Sequence, residues 1–259
     1  MSGCSRLRLA TETLDGVYHL HPYSWDGLWG FPGRRGVNVP VIGRPGSYRV
    51  EGKETEERIA TLGIQIRRRS STGTITLPGG ACEHVEANQD LILGLMGSDD
   101  LQTLEWDGCD GVMRYLEVEF VEPAPIAHVG LERQLPVVLR APYPYWREAD
   151  VSSPITGGPT NVNPGGNAPV EDCTLSFAAA GRITNALGPE HVEVDPALGD
   201  GNPVAFDCLT GSAVQTGVEA AKTIVSIGSD RLFRLNPAVN NPLTVTAGTV
   251  TVTHRPTWW

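Results

Sequence analysis

The sequence predicts a mainly β protein of two domains, and three observations carry that expectation. Glycine and proline are abundant, at 30 and 20 of 259 residues, a composition that favours turns and sheets over helices. Apolar residues alternate in short runs along most of the chain, which is the period of strands with one buried face. Composition then shifts near residue 150. In "VSSPITGGPTNVNPGGNAPV" (151–170), eleven of twenty residues are Gly, Pro or Asn. That stretch reads as irregular chain, giving domains at 1–150 and 169–259 with a linker at 151–168.

Taken in order, the first strand signal is "SRLRLAT", where Leu7 and Leu9 alternate with arginines. "YHLHPYSWDGLWGFPGRRG" follows. Its Pro22, Gly27, Gly30, Pro32 and Gly33 make it read as loop with one short apolar stretch. Residues 37–58 form a long polar excursion, its charge concentrated at Arg49, Glu51, Lys53, Glu54, Glu56, Glu57 and Arg58. Mixed charge between two strand signals suits an arm that pairs with a neighbouring copy, since opposite charges set register more than affinity. The plainer alternative is a solvated surface loop. In "IATLGIQIRRR", Leu62, Ile64 and Ile66 line one strand face.

Residues 84–96 carry the clearest helical period, with Val85, Asn88, Gln89, Ile92 and Met96 on one side and Gly97 as the stop. "LQTLEWDGCDGVMRYLEVEFVEP" predicts a hairpin turning at Asp107-Gly108 and Asp110-Gly111, with Leu116, Val118 and Phe120 inward. "QLPVVLRAPYPYW" gives a further strand, ended by Pro142 and Pro144. Beyond residue 170 only short strands spaced by turns remain, the pattern of a β-sandwich or jelly roll. The chain closes on "TVTVTHRPTWW". Val250 and Val252 point inward from a strand, and Pro256 ends its ladder for want of an amide hydrogen. Arg255 covers apolar surface with its stem, and Trp258 and Trp259 pack as core or interface instead of forming a free tip.

Several functions are disfavoured. The net charge is -10 and both halves are acidic, so neither is a basic nucleic-acid-binding tail. Five widely spaced cysteines without a CxxC pair argue against a disulfide scaffold or zinc finger and for a reducing compartment. No signal-like apolar segment opens the chain and no run of membrane-spanning length occurs in it. The nucleophile-elbow, zincin, P-loop and dinucleotide motifs are all missing. His19 and His21 could offer two imidazoles to a metal, with Asp26 or His84 as a distant third ligand, but read better as histidines of an aromatic loop. Glu83 and Glu86 offset a helix dipole. Glu117 and Glu119 share a strand face without an opposing carboxylate to make a glycosidase pair. The expectation is no catalytic residue, no metal and no cofactor. A glycan-binding sandwich, or the accessory domain of a glycosidase, is the alternative; it lacks a stacking platform, because only Phe177, Phe206 and Phe233 are aromatic between 170 and 250.

In order along the chain, these features resemble the distal tail protein (Dit-like minor tail protein) of long, non-contractile-tailed bacteriophages; gene-transfer-agent tails look similar. The matching pieces are the charged arm before "ERIATLGIQI", the helix and hairpin from His84 to Val121, and "RAPYPYWRE". In the second half they are "NPGGNAPVEDCTLSF", "GRITN", "SDRLFRLNPAVNNPLTV" and "VTVTHRPTWW". Two departures stand out: Ala238 occupies the glycine position of the family's turn, and His254 replaces a tyrosine near the end. The resemblance implies an N-terminal belt domain of strands, one helix and a protruding β-hairpin arm, followed by a galectin-like sandwich. It further implies a hexameric ring between tail tube and baseplate hub, at the distal end of the virion tail after synthesis in the host cytoplasm. The tape measure protein and genome would pass through the lumen, and the sandwiches would carry receptor-binding proteins or adsorb to host polysaccharide. No membrane insertion, cofactor or active site is implied.

Overall fold

The computed structural model describes residues 6–10, 12–14, 20–33, 39–40, 47–48, 55–69, 80–123, 125–130, 132–188, 190–194, 203–215, 218–219, 225–227 and 233–259. The chain packs as two compact units, Met1–Trp146 together with Trp259, and Arg147–Trp258.

The first unit begins with β1 (Arg6–Leu9), β2 (Glu12–Leu14) and β3 (Leu20–Asp26), followed by the short strands β4 (Val39–Pro40) and β5 (Ser47–Tyr48). Then come β6 (Arg58–Ile66), the helix α1 (Gly80–Met96), β7 (Gln102–Asp107), β8 (Met113–Pro123), β9 (Ala127–Val129), β10 (Glu132–Ala141) and β11 (Trp146–Arg147), whose second residue is counted with the other unit. The main sheet runs β2-β1-β7-β8-β10-β6-β3, with β9 on β10. Its longest ladder joins β6 to β10, from Arg133 opposite Ile66 to Ala141 opposite Arg58. On that ladder Leu62, Ile64 and Ile66 meet Leu135, Val137 and Leu139 in the interior, all fully buried. The period of two in both strands leaves no other register that hides both apolar sets.

Helix α1 starts four residues before the expected His84 and buries Val85, Asn88 and Ile92. Asn88 is the informative member of that face. Its side-chain amide donates to the carbonyls of Arg67 and Arg69, 2.8 and 2.9 Å away, so a polar group inside a helix face ties down the chain leaving β6. At the other end Gly97 donates its amide to the Leu93 carbonyl. The β7–β8 hairpin turns where the Asp-Gly steps lie. Asp107 pairs with Met113, Gly111 takes φ 74°, and the Asp110 carboxylate accepts from the Val112 amide and from Arg114. Leu116 and Val118 are buried as expected, while Phe120 is half-buried.

The "YHLHPYSWDGLWG" segment corrects the sequence expectation, because seven of its residues form β3 and not a loop. Two features make a proline-containing strand possible there. β3 is the last strand of the sheet, and its register on β6 shifts between Pro22 and Ser24, so Pro22 owes no amide hydrogen to an outer neighbour and Tyr23 bulges out.

The second unit holds β12 (Val151–Thr156), β13 (Thr160–Val162), β14 (Cys173–Phe177), β15 (Gly181–Asn185), β16 (His191–Val194), β17 (Val204–Asp207), β18 (Ala213–Gln215) and β19 (Val218–Glu219). β20 (Val225–Ile227), β21 (Asn241–Val245), β22 (Thr249–His254) and β23 (Thr257–Trp258) complete it. One sheet is ordered β12-β22-β14-β17-β18-β19 and the other β13-β21-β15-β16-β20, with antiparallel ladders in both. Leu175, Phe177, Phe206 and Val252 of the first sheet share one buried cluster with Ile183, Val192, Leu243 and Val245 of the second, which makes the unit a β-sandwich.

The linker expected at 151–168 is likewise corrected, since β12 and β13 lie inside it. Each is the outermost strand of its sheet. An edge strand tolerates Pro154 because no outer neighbour needs its amide, and the Gly157-Gly158 step between the two strands supplies the turn. Composition alone reads such edges as irregular chain.

Candidate assembly site

The segment expected to form an arm is described at two short strands and at its C-terminal end. β4 and β5 pair with each other antiparallel, Val39 opposite Tyr48 and Pro40 opposite Ser47. Arg49, Glu51, Lys53 and Glu54 lie outside the described residues. At the base, the Glu56 amide donates to the Gly33 carbonyl at 2.8 Å, and the Tyr145 hydroxyl donates to Thr55 Oγ1 at 2.9 Å. Glu57 faces its own Arg140 at 4.0 Å, and Arg140 is also paired with Glu119. Glu119 is therefore part of a surface ion-pair cluster within the sheet.

Arg58 departs from its expected place on the arm surface. It opens β6 and is only 3% exposed. Its Nε donates to the Pro144 carbonyl at 2.8 Å, its Nη1 to the carbonyls of Gly27 and Leu28, and its Nη2 to that of Gly30, each at 3.0 Å. Burial lowers its pKa, and the Tyr145 hydroxyl opposes that shift. The physical reason for burying a cation here is the Gly-rich turn after β3, which points several carbonyls inward with no strand partner. A guanidinium has enough donors in a fixed fork to satisfy them together. Nothing in the residue pattern distinguishes Arg58 from the other arginines, because its partners are backbone atoms.

An aromatic group surrounds this node. The buried Trp146 donates its indole N–H to the Leu28 carbonyl at 2.9 Å, and its ring stacks on Trp29 at 5.1 Å. Trp29 meets Trp106 at 4.3 Å, and the Arg114 guanidinium lies 5.1 Å over the Trp106 ring. Trp259 belongs to this unit, its ring 4.7 Å from Phe31 and 5.0 Å from Tyr145. On the outside, Tyr23, Trp25, Trp29 and Phe31 are exposed, Trp25 by 50% and Phe31 by 74%. The sequence shows this stretch as an aromatic loop; it does not show the exposure of these rings, because that depends on the edge position of β3.

Up to Trp258 the terminal run belongs to the second unit. Val250 and Val252 are fully buried on β22, between β12 and β14. β22 ends at His254, before Pro256. Arg255 does more than cover apolar surface, for its Nε is 2.6 Å from Asp150 Oδ1 and its Nη1 is 3.6 Å from Asp172 Oδ2. Arg147 reaches the same Asp172 oxygen at 2.6 Å. Past the proline, the Pro256 carbonyl accepts from the Glu148 amide at 3.0 Å, and the Thr257 carbonyl accepts from the amides of Asn167 and Ala168 at 2.9 and 3.0 Å. Trp258 is half-buried. Among the described residues, His254, only 2% exposed, has no hydrogen-bond partner on either ring nitrogen. Burial lowers its pKa, and Asp150 pulls it back up.

His21 lies on β3, and His19 is outside the described residues. Among the described residues no three His, Cys, Asp or Glu side chains converge on a metal-sized space, and no helix is long and apolar enough to cross a membrane. The described aromatics of the sandwich core, Phe177, Phe206 and Phe233, are each 1% exposed and offer no stacking face.

No protein-family model matches the sequence, and no curated protein matches it significantly. Solved structures do. The SPP1 Dit (gp 19.1) protein, described as a paradigm of hub adsorption apparatus in phages infecting Gram-positive bacteria, superposes with a TM-score of 0.71 over 98% of this chain and 99% of its own, at 13% identity. A chain of the phage p2 baseplate, in its activated conformation with Sr, matches with a TM-score of 0.55 over 98% of both chains, at 7% identity. The chain shares the fold of these proteins along nearly its whole length.

Proposed function

We propose that this chain is a structural subunit of a phage-type tail, a Dit-like distal ring component that joins the tail tube to the baseplate hub and host-adsorption apparatus. The observation that carries the reading is the fold likeness to SPP1 Dit over almost the full length of both chains. A shared sandwich alone would say little, because sandwiches host unrelated functions. The β4–β5 hairpin, with its base fixed by Thr55, Glu56 and Arg58, supports an intersubunit arm: a preorganised root lowers the ordering cost of an interface. In this reading copies of the chain close a hexameric ring, the tube protein and hub dock on its two sides, and the genome and tape measure protein pass through the lumen. The role is non-catalytic, and the sandwich carries receptor-binding protein or meets host polysaccharide.

Light scattering on the purified chain, with negative-stain electron microscopy, tests this. A ring with a lumen is expected, and deletion of residues 44–54 should return monomer with an unchanged circular dichroism spectrum. A parent chain that stays monomeric, or a deletion variant that assembles as well as the parent, contradicts the proposal.

A further inference from the structure

We propose that Cys173 and Cys208 form a latent disulfide site, two thiols placed to close into a cross-strand disulfide when they meet a low-molecular-weight disulfide oxidant. Cys173 opens β14, and Cys208 follows the last residue of β17. The β14–β17 register runs from Phe177 opposite Val204 to Thr174 opposite Asp207, so the next opposed pair is Cys173 with Cys208. The ladder reaches that pair, because the Cys208 amide donates to the Cys173 carbonyl at 2.9 Å. Hydrogen-bonded antiparallel partners have Cα atoms about 5.5 Å apart, inside the roughly 4.4–6.8 Å window that a disulfide spans.

Side-chain direction agrees. Cys173 shares parity with the buried Leu175 and Phe177, and Cys208 with the buried Val204 and Phe206, so both thiols enter the same core. Both are free, and they contact one another through a hydrogen bond between the side chains. Desolvation, followed by that hydrogen bond and by the charges of Asp207 and Asp172, raises the Cys208 thiol well above its ordinary range. The Cys208 thiol is therefore neutral and unreactive while the sandwich is closed. Closure proceeds during folding or when β14 and β17 part. One thiolate attacks the oxidant's S–S bond and releases one small thiol; the second thiolate attacks the protein sulfur of the mixed disulfide and releases the other. Two protein thiols are oxidised and one small disulfide is reduced to two thiols, with no protons left over.

The site depends on the geometry of the second unit alone and stands or falls separately from the tail assignment. The test is to refold the full-length chain from urea in a reduced/oxidised glutathione couple, and in parallel under excess reductant, then count free thiols by alkylation and map peptides without reduction. Two of the five thiols should be lost, with a single Cys173–Cys208 linked peptide pair. A melting temperature about 10 °C above the reduced protein is expected for a loop of this length, reversed by reductant. Cys173→Ala should abolish both effects, and the comparison of oxidised with reduced parent needs no variant. Retention of all five thiols, links that involve Cys4, Cys82 or Cys109, or a linked form that melts below the reduced one overturns the proposal.

Discussion

Replacing Gly166 with alanine should loosen the C-terminal run, and the size of the effect can be worked from the backbone. Gly166 has φ +70°, and a Cβ built on it would lie 2.1 Å from the Thr257 carbonyl oxygen and 2.7 Å from the Thr257 nitrogen. Both obstacles are main-chain atoms, so no side chain can swing aside. The left-handed conformation costs an L-residue roughly 1–2 kcal/mol. Displacing Thr257 also threatens the two hydrogen bonds its carbonyl accepts from Asn167 and Ala168, each worth about 0.5–1.5 kcal/mol. The lost freedom of the unfolded chain returns about 0.4–1 kcal/mol. The net expectation is a loss of about 2–3 kcal/mol, or roughly 10 °C in melting temperature for a unit of this size.

Two neighbours separate the contributions. Gly157 shares the left-handed φ but has open space around it, so Gly157→Ala should cost only about 1 kcal/mol. Gly158 has open space and no left-handed φ, and its alanine variant should stay within about 0.5 kcal/mol of the parent. Scanning calorimetry of the three full-length variants reads the series. If Gly166→Ala costs no more than Gly157→Ala, the Thr257 carbonyl is not held against this turn and the anchored-tail description fails.

Other perturbations have equally definite directions. Ala238 carries φ 55°, a left-handed conformation that glycine adopts without strain, so Ala238→Gly should stabilise the chain by up to about 1 kcal/mol in urea unfolding; a destabilised variant would show that the alanine methyl is needed. His254 binds its proton less readily folded than unfolded, so its contribution to stability is complete above the ordinary imidazole pKa and is lost as pH falls below it. The parent should therefore weaken between about pH 7.5 and 5.5 more than His254→Phe does, with Asp150 the charged group that opposes the shift and the buried Cys173 opposite on β14. Equal pH slopes would assign the acid sensitivity elsewhere. Arg58→Met leaves the carbonyl oxygens of Pro144, Gly27 and Gly30 without that donor and the Leu28 carbonyl with the Trp146 indole alone, and should cost about 3–5 kcal/mol by urea unfolding, with Arg58→Lys only a partial rescue because an ammonium lacks the fork. A full rescue by lysine would mean that charge alone, not geometry, matters at this node.

Much of the architecture was legible because side-chain period survives folding. Val85, Asn88 and Ile92 announced the face of α1, the Asp-Gly steps announced the β7–β8 turn, and Val250 and Val252 announced the inward side of β22. What was missed lies at sheet edges. β3, β12 and β13 each contain or border proline and glycine, which interior strands reject and outer strands tolerate, so local composition points the wrong way there. Arg58 was assigned to the charged arm because acidic neighbours surround it in sequence, whereas its partners are carbonyls near residues 27–30 and 144. Ala238 had a visible signal. An alanine in a glycine position marks a left-handed turn, and the backbone takes that conformation.

The most direct test of a place in the tail is labelling of intact particles. Antibodies raised against the purified chain, coupled to gold, would be applied to tailed particles from cells that encode it and viewed by electron microscopy. Gold confined to the tail end opposite the head is the expected result. Label along the tube, on the head, or absent from particles while the protein is abundant in the same lysate would contradict a distal-tail role.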